Sequence, residues 1–155
     1  MVREASGADV EDVVGLVVAA GMFSLQEAGL VRDLLHGLGR PDTASHTCVV
    51  DDEAGRVAGV AYYQPKGPAD RLWDLTMIAV LPELQGRGRG ARLLRHVEDD
   101  LRARGQRMLL VDTSGTAQYD PARHFYARCG YDQVARIPDY WTDGDDLVVF
   151  AKRLT

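Results

Sequence analysis

Leu81-Pro82-Glu83-Leu84-Gln85-Gly86-Arg87-Gly88-Arg89-Gly90-Ala91 is the stretch that decides the fold of this chain. It follows the most strand-like segment, Leu72–Val80, which Pro82 stops. It opens a helix expected over residues 88–104, with Leu93, Leu94, Val97 and Leu101 on one face and arginines on the other. Glycines at alternate positions permit backbone shapes closed to other residues and remove side chains that would block a close ligand. The helix leaves its first N–H groups unpaired and carries partial positive charge there. A pyrophosphate at this point would receive several amide hydrogen bonds, with Arg87, Arg89 and Arg92 able to screen its charge.

Three ligand classes use such a loop. A P-loop needs Gly-Lys-Ser/Thr, whereas Gly90 is followed by Ala91-Arg92, which argues against a nucleoside triphosphate. A dinucleotide fold wants GxGxxG; here Gly88-x-Gly90 is followed by Leu93, although Asp112 lies at about the distance of a ribose-binding acid. The third class is a CoA-type pyrophosphate. A tight strand-to-helix connection with no ligand would use the same glycines.

Outward from the loop, residues 2–5 form a short strand, and Asp9 is placed to cap a helix carrying Val10, Val13, Val14, Val17 and Val18 at helical spacing. Ser24 with Glu27 reads as a capping box opening a second helix to about Leu38, ended by Gly37, Gly39 and Pro41. Strands at 47–50 and 57–63 flank the turn Asp51-Asp52-Glu53-Ala54-Gly55, and Pro65, Gly67 and Pro68 force a loop. Past the central helix come a buried strand at 108–111, a helix at 121–129 closed by Gly130, and strands at 133–137 and 147–152. The order predicts an α/β fold, a mixed sheet with about four helices on its faces, in one domain spanning 1–155.

Composition narrows the classes. The chain has 155 residues, 46% hydrophobic and 26% charged, which is the balance of a folded globular domain. No apolar run approaches a membrane span of about 20 residues, and Met-Val-Arg-Glu-Ala does not open like a secretory signal, so a cytoplasmic location is expected. The net charge of −5 argues against nucleic acid as a partner. Cys48 and Cys129 read as structural thiols, and the four histidines form no metal-ligand pattern, so no metal is expected.

The context then narrows the pyrophosphate. Val80-x-Pro82-x-x-Gln85-x-x-Gly88-x-Gly90-Ala91-x-Leu93-Leu94 resembles the acetyl-CoA-binding motif of the GNAT family of N-acetyltransferases, Gln/Arg-x-x-Gly-x-Gly/Ala. Ala122-Arg123-His124-Phe125-Tyr126-x-x-x-Gly130-Tyr131 is similar to the family's second signature. Both stand in the family's order, and the resemblance covers almost the whole chain, most specifically residues 72–131. It implies the GNAT acyl-CoA N-acyltransferase fold, in which strands 72–80 and 107–113 splay apart. Acetyl-CoA would lie in the wedge as acyl donor, its pyrophosphate on Gln85, Gly86, Arg87, Gly88, Arg89, Gly90 and Ala91. Its pantetheine would run along the backbone to Ile78, Ala79 and Val80, where a free N–H would polarise the thioester. Many members carry an asparagine near the pantetheine where this chain has Tyr119. The resemblance also implies that a homodimer is a common assembly.

Making an amide from a thioester requires a neutral amine, a stabilised oxyanion and a proton for the leaving thiolate. The resemblance assigns Tyr126 as general acid. Asp74 is the expected base, at the place where histone-modifying members carry a glutamate, and strict alternation would set Asp74, Thr76, Ile78 and Val80 on one face. The shorter aspartate favours action through a water. Met22, Phe23 and Leu25, with Tyr140 and Trp141 of Ile137-Pro138-Asp139-Tyr140-Trp141-Thr142-Asp143-Gly144-Asp145-Asp146, are the expected acceptor contacts. Aromatic faces beside four carboxylates suit an ammonium group, and a solvated turn would contain the same residues. Neither cysteine is expected at a nucleophile's position. The predicted function is direct acetyl transfer from acetyl-CoA to a primary amine in a ternary complex. The rival is a non-catalytic acyl-CoA-binding sensor or interaction module, which would need neither Tyr126 nor Asp74.

Overall fold

Val57 to Tyr63 is a run of seven residues without a charge and buried throughout, which requires cover on both faces of its strand. The computed structural model describes residues 1–22, 26–37 and 45–155, and in it this run lies inside β3 (Arg56–Pro65), near the middle of one seven-stranded sheet. The other strands are β1 (Val2–Glu4), β2 (Thr47–Glu53), β4 (Leu72–Val80), β5 (Met108–Ser114), β6 (Asp132–Thr142) and β7 (Asp145–Arg153). The order is β1-β2-β3-β4-β5-β7-β6, antiparallel except for the parallel β4–β5 pair, so the sheet is mixed as expected.

One face is covered by α1 (Val10–Ala19) and α2 (Ala28–His36). Val13, Val14 and Val17 of α1 and Val31 and Leu35 of α2 meet Val60 and Tyr62 of β3 there. The other face takes α3 (Arg89–Ala103) and α4 (Asp120–Arg128). Leu93, Leu94, Val97 and Leu101 pack with Ala61, Tyr63 and Tyr126 on that side. Asp9 does not cap α1 through its side chain: its carboxylate accepts from Arg3 at 2.9 Å and from the Ser6 N–H at 2.7 Å. Ser24, Leu25, Leu38, Gly39 and Pro41 lie outside the described residues.

Three local features differ from the sequence expectations. First, β4 does not alternate strictly. Its register against β3 passes from Tyr62↔Met77 to Tyr63↔Leu75, so Thr76 is an extra residue at a bulge. Trp73 and Leu75 therefore join the α3 layer, whereas Met77 and Ala79 join the α1 layer. Asp74 thus shares the α1–α2 face with its partner Gln64 and not the face of Ile78 and Val80, which corrects the expected arrangement. Second, Asp51, Asp52 and Glu53 belong to β2, and the turn is only Ala54-Gly55, both at positive φ (+52° and +88°).

Third, β6 runs on through most of the stretch expected to be a loop, and the turn is Asp143-Gly144. The register jumps from Ile137↔Leu147 to Thr142↔Asp145, so residues 138–141 bulge outward opposite Asp146. The acids of this stretch hold the hairpin itself. Asp146 accepts from Arg136 and from the Asp139 N–H, Asp139 accepts from the Gly144 N–H, and Asp145 accepts from the Ser114 hydroxyl.

Candidate active site

Gln85 fastens the glycine loop to the strand before it: its side-chain amide donates to the Val80 carbonyl at 3.0 Å. Gly86 and Gly88 sit at φ +75° and +79°, where a β-carbon would be strained although it would touch nothing. Gly90 has a different reason, because a β-carbon there would come within 3.3 Å of the Phe125 ring. The first bond of α3 runs from the Arg92 N–H to the Gly88 carbonyl, so the amides of 89–91 have no acceptor inside the helix.

The arginines of the loop are disposed differently from expectation. Arg89 donates to Asp51 at 2.8 Å and also pairs with Glu53, while Arg92 donates to Asp51 at 2.9 Å. Asp51 is completely buried; burial works to raise its carboxyl, but the two arginines outweigh this and hold it below the usual range. These two guanidinium groups therefore brace α3 against β2. Arg87 is exposed and makes no ion pair among the described residues.

Beside the loop the sheet opens. β4 and β5 pair only through Leu72↔Met108, Trp73↔Leu109 and Asp74↔Leu110, although β4 continues to Val80 and β5 to Ser114. On its other side β5 is paired with β7 along its whole length. The edge of residues 75–80 that faces β5 is left without a ladder, as in the expected splay. A cleft of about 670 Å³ lies at the end of β4, between it, the glycine loop and α4, lined by Ile78, Ala79 and Val80, by Gln85, Gly86 and Gly88 to Ala91, and by Tyr126. Met22 from the end of α1 also lines it. Arg87 and Tyr119 are not on its wall, and Tyr119 is exposed ahead of α4; Phe23 lies outside the described residues.

Pro121, Ala122, Phe125 and Arg128 of α4, and Cys129 just past its end, also line the cleft. The helical spacing around Tyr126 is the sequence signal for this wall. Cys129, expected as a structural thiol, is thus part of the cleft wall. Burial raises its thiol and Glu98 adds to the effect, so it is held as a thiol. Cys48 is buried in the α1–α2 layer and pushed up to about 12.

Tyr126 is buried among the rings of Phe125, Tyr131 and Phe150, with centroids 5.3, 5.9 and 5.8 Å away. Burial pushes its phenol up, so the hydroxyl keeps its proton through the neutral range. That hydroxyl makes no hydrogen bond to another described residue. Behind the ring, Tyr131 donates to Glu98 at 2.8 Å, and Lys152 donates to Glu98 and to the Cys129 carbonyl, both at 2.9 Å. This network fixes the end of α4.

Asp74 stands where β4 and β5 part. Its Oδ2 accepts from the Thr76 hydroxyl at 3.0 Å, and that hydroxyl accepts from Gln64 at 2.9 Å. Its Oδ1 is buried without a hydrogen bond. Burial is the largest cause raising its carboxyl; Asp112 adds to it, and Lys66 and Thr76 oppose it. Asp74 is not on the wall of the cleft that holds Tyr126. Trp141 donates its indole N–H to the Thr113 carbonyl at 3.2 Å, one residue past Asp112, and crosses Tyr140 edge-on at 4.8 Å. Among the described residues, no group of three or more His, Cys, Asp or Glu is placed to hold a metal ion, and no helix is long and apolar enough to cross a membrane.

The pattern of the family described as acetyltransferase (GNAT) matches residues 20–131. The crystal structure of a protein assigned to that family from Desulfovibrio desulfuricans superposes with a TM-score of 0.94 at 30% identity, covering 100% of this chain and 99% of that one. An aminoglycoside 6'-N-acetyltransferase solved with coenzyme A superposes with a TM-score of 0.80, covering 100% of this chain and 97% of that one; at 15% identity this likeness speaks for the fold. The amino-acid acetyltransferase of Ralstonia nicotianae is 32% identical over 123 residues, 79% of this chain but 26% of that protein. The chain thus spans about a quarter of that relative's length.

Proposed function

Because the chain belongs to the acetyltransferase (GNAT) family, we propose that it takes acetyl-CoA into the cleft between the end of β4, the glycine loop and α4 and transfers the acetyl group directly to a primary amine of a small molecule, peptide or protein. The observation that carries this reading is one cleft in which the open edge of β4, the glycine loop and Tyr126 meet. Amides at 86–91 suit a pyrophosphate, and the unpaired edge at Ile78 to Val80 suits the amide-rich pantetheine. The donor would supply an activated acetyl thioester.

Within that reading the protein's groups divide the proton work. Tyr126, kept protonated by burial, is the proton donor to the departing thiolate sulfur. A backbone N–H near Ile78 or Ala79 faces the developing oxyanion. Asp74, on the other face of the sheet, takes the amine proton through water, in keeping with its distance from the cleft wall. Cys129, held as a thiol, is poorly suited to carry the acetyl group, which favours direct transfer. The name of the Ralstonia relative puts the α-amino group of an amino acid first among acceptors to try.

Native mass spectrometry of the protein mixed with equal amounts of acetyl-CoA and NAD tests the donor. Retention of acetyl-CoA is expected; retention of NAD, or of neither, would contradict the assignment of the cleft.

A further inference from the structure

Lys66 follows the last residue of β3, on the short connection to β4, and its backbone N–H donates to the Leu72 carbonyl at 2.8 Å. Its side chain crosses to the place where β4 and β5 separate, and there its ammonium lies 3.9 Å from Asp74 Oδ1 and 3.8 Å from Asp112 Oδ2. Both contacts are longer than a hydrogen bond. Asp74 Oδ1 consequently remains buried with no donor, an arrangement that costs free energy until a donor arrives. The other side of the same carboxylate is already satisfied through Thr76 and Gln64, so the unmet demand points toward Lys66 alone.

Asp74 and Asp112 share the α1–α2 face. Leu109 and Val111 of β5 pack in the α3 layer, which turns Asp112 the opposite way, as the bulge at Thr76 does for Asp74. Lys66 is about half exposed, whereas Asp74 is 14% exposed and Asp112 29%, so the cation is the member of the group that solvent reaches most. A long alkylammonium held loosely between two half-buried carboxylates has the chemistry of an amine acceptor presenting its own ammonium.

We propose that Lys66 is an internal stand-in for the acceptor: it partly offsets the negative charge of Asp74 and Asp112 in the free protein and is displaced by the primary ammonium of the incoming amine. This rests on the reading of Asp74 as the acceptor-side base. Displacement brings the ammonium close enough to Asp74 Oδ1 for a bridging water to donate there and to relay the amine proton. Lys66 then tunes selectivity, because only a ligand that is itself cationic can replace it without leaving the two carboxylates with no cation beside them.

The test is a titration of n-butylammonium chloride, with n-butanol as the uncharged control, into the full chain and its Lys66→Met and Lys66→Arg variants. It is followed by the amide shifts of Asp74 and Asp112 in 15N-edited NMR spectra, which also report whether each variant is folded. Lys66→Met is expected to bind the ammonium roughly two- to fivefold more tightly, the scale of losing a weak ion-pair competitor. Lys66→Arg should stay near the parent, and n-butanol should leave these amides unmoved. Equal affinity in the parent and Lys66→Met, or equal shifts with n-butanol, would overturn the proposal. Failure of acetyl transfer to every amine would instead contradict the function proposed above and leave this titration interpretable.

Discussion

Asp74 and Leu110 form the last registered pair between β4 and β5, and past them the two strands run on without a shared ladder. The residue that closes the paired part of the sheet is thus the acid proposed for the acceptor, and the unpaired edge of β4 beyond it leads to the cleft proposed for the donor. One backbone event separates the two halves of the proposed site.

In the proposed mechanism Asp74 is the source of the pH dependence. Its carboxyl is raised chiefly by burial, so the base form is lost as pH falls through a value above the ordinary carboxylate range of about 4. With saturating acetyl-CoA, kcat/KM for the amine should show its acidic limb there. Asp74→Asn should abolish that limb and lower the plateau by roughly 10²- to 10⁴-fold. A pH–rate profile of CoA release decides this, and an unchanged limb in Asp74→Asn would remove Asp74 from the mechanism.

Tyr126→Phe separates chemistry from packing. The hydroxyl bonds no described residue, while the ring is packed against Phe125, Tyr131 and Phe150. The variant should therefore melt within a degree or two of the parent, with kcat down on the order of 10²-fold and the KM for acetyl-CoA little changed. Steady-state kinetics beside thermal unfolding would check both halves.

Asp51→Asn tests the brace beneath the glycine loop. Removing the buried acid takes the shared partner from Arg89, which keeps Glu53, and from Arg92, which is half exposed, at a cost of roughly 1–3 kcal/mol. Because the carboxyl is held below its unfolded value, its contribution is present above that value and is lost as pH falls through the folded one. Acid unfolding should therefore be steeper in the parent than in the variant, as urea denaturation at several pH values below 5 would show.

Gly59→Ala tests the packing behind the cleft strand. A β-carbon there would lie 2.7 Å from Leu93 Cδ1 and 3.2 Å from the Ala79 carbonyl, where α3 crosses β3 and β4. Overpacking of this kind costs about 1–3 kcal/mol. A thermal melt should show the loss.

Much of this architecture is legible in the sequence where local rules suffice. Leu72–Val80 ends as Pro82 requires, and Gly86 and Gly88 adopt the positive φ that alternate glycines permit. Tyr126 reaches the cleft because its helix follows directly from β5. What is not legible depends on partners distant in the chain. Nothing in the pattern Trp73-Leu75-Met77-Ala79 signals that Thr76 is extruded, because the bulge is a property of the pairing with Tyr62 and Tyr63. Arg89 and Arg92 look like phosphate ligands until Asp51, from a strand far earlier, is seen beneath them. The acids near Tyr140 and Trp141 look like an ammonium site, yet Asp139 and Asp146 hold the outward bulge of β6. Lys66 carries no motif at all.

Acetyl transfer itself is tested most directly by initial-rate measurement of CoA thiol release from acetyl-CoA across a panel of primary amines, with mass spectrometry of each amine product. The expected result is amine-dependent release, a product heavier by one acetyl group, and intersecting lines when both substrates are varied. Release of no CoA with any amine, or parallel lines accompanied by an acetylated protein, would contradict direct transfer in a ternary complex.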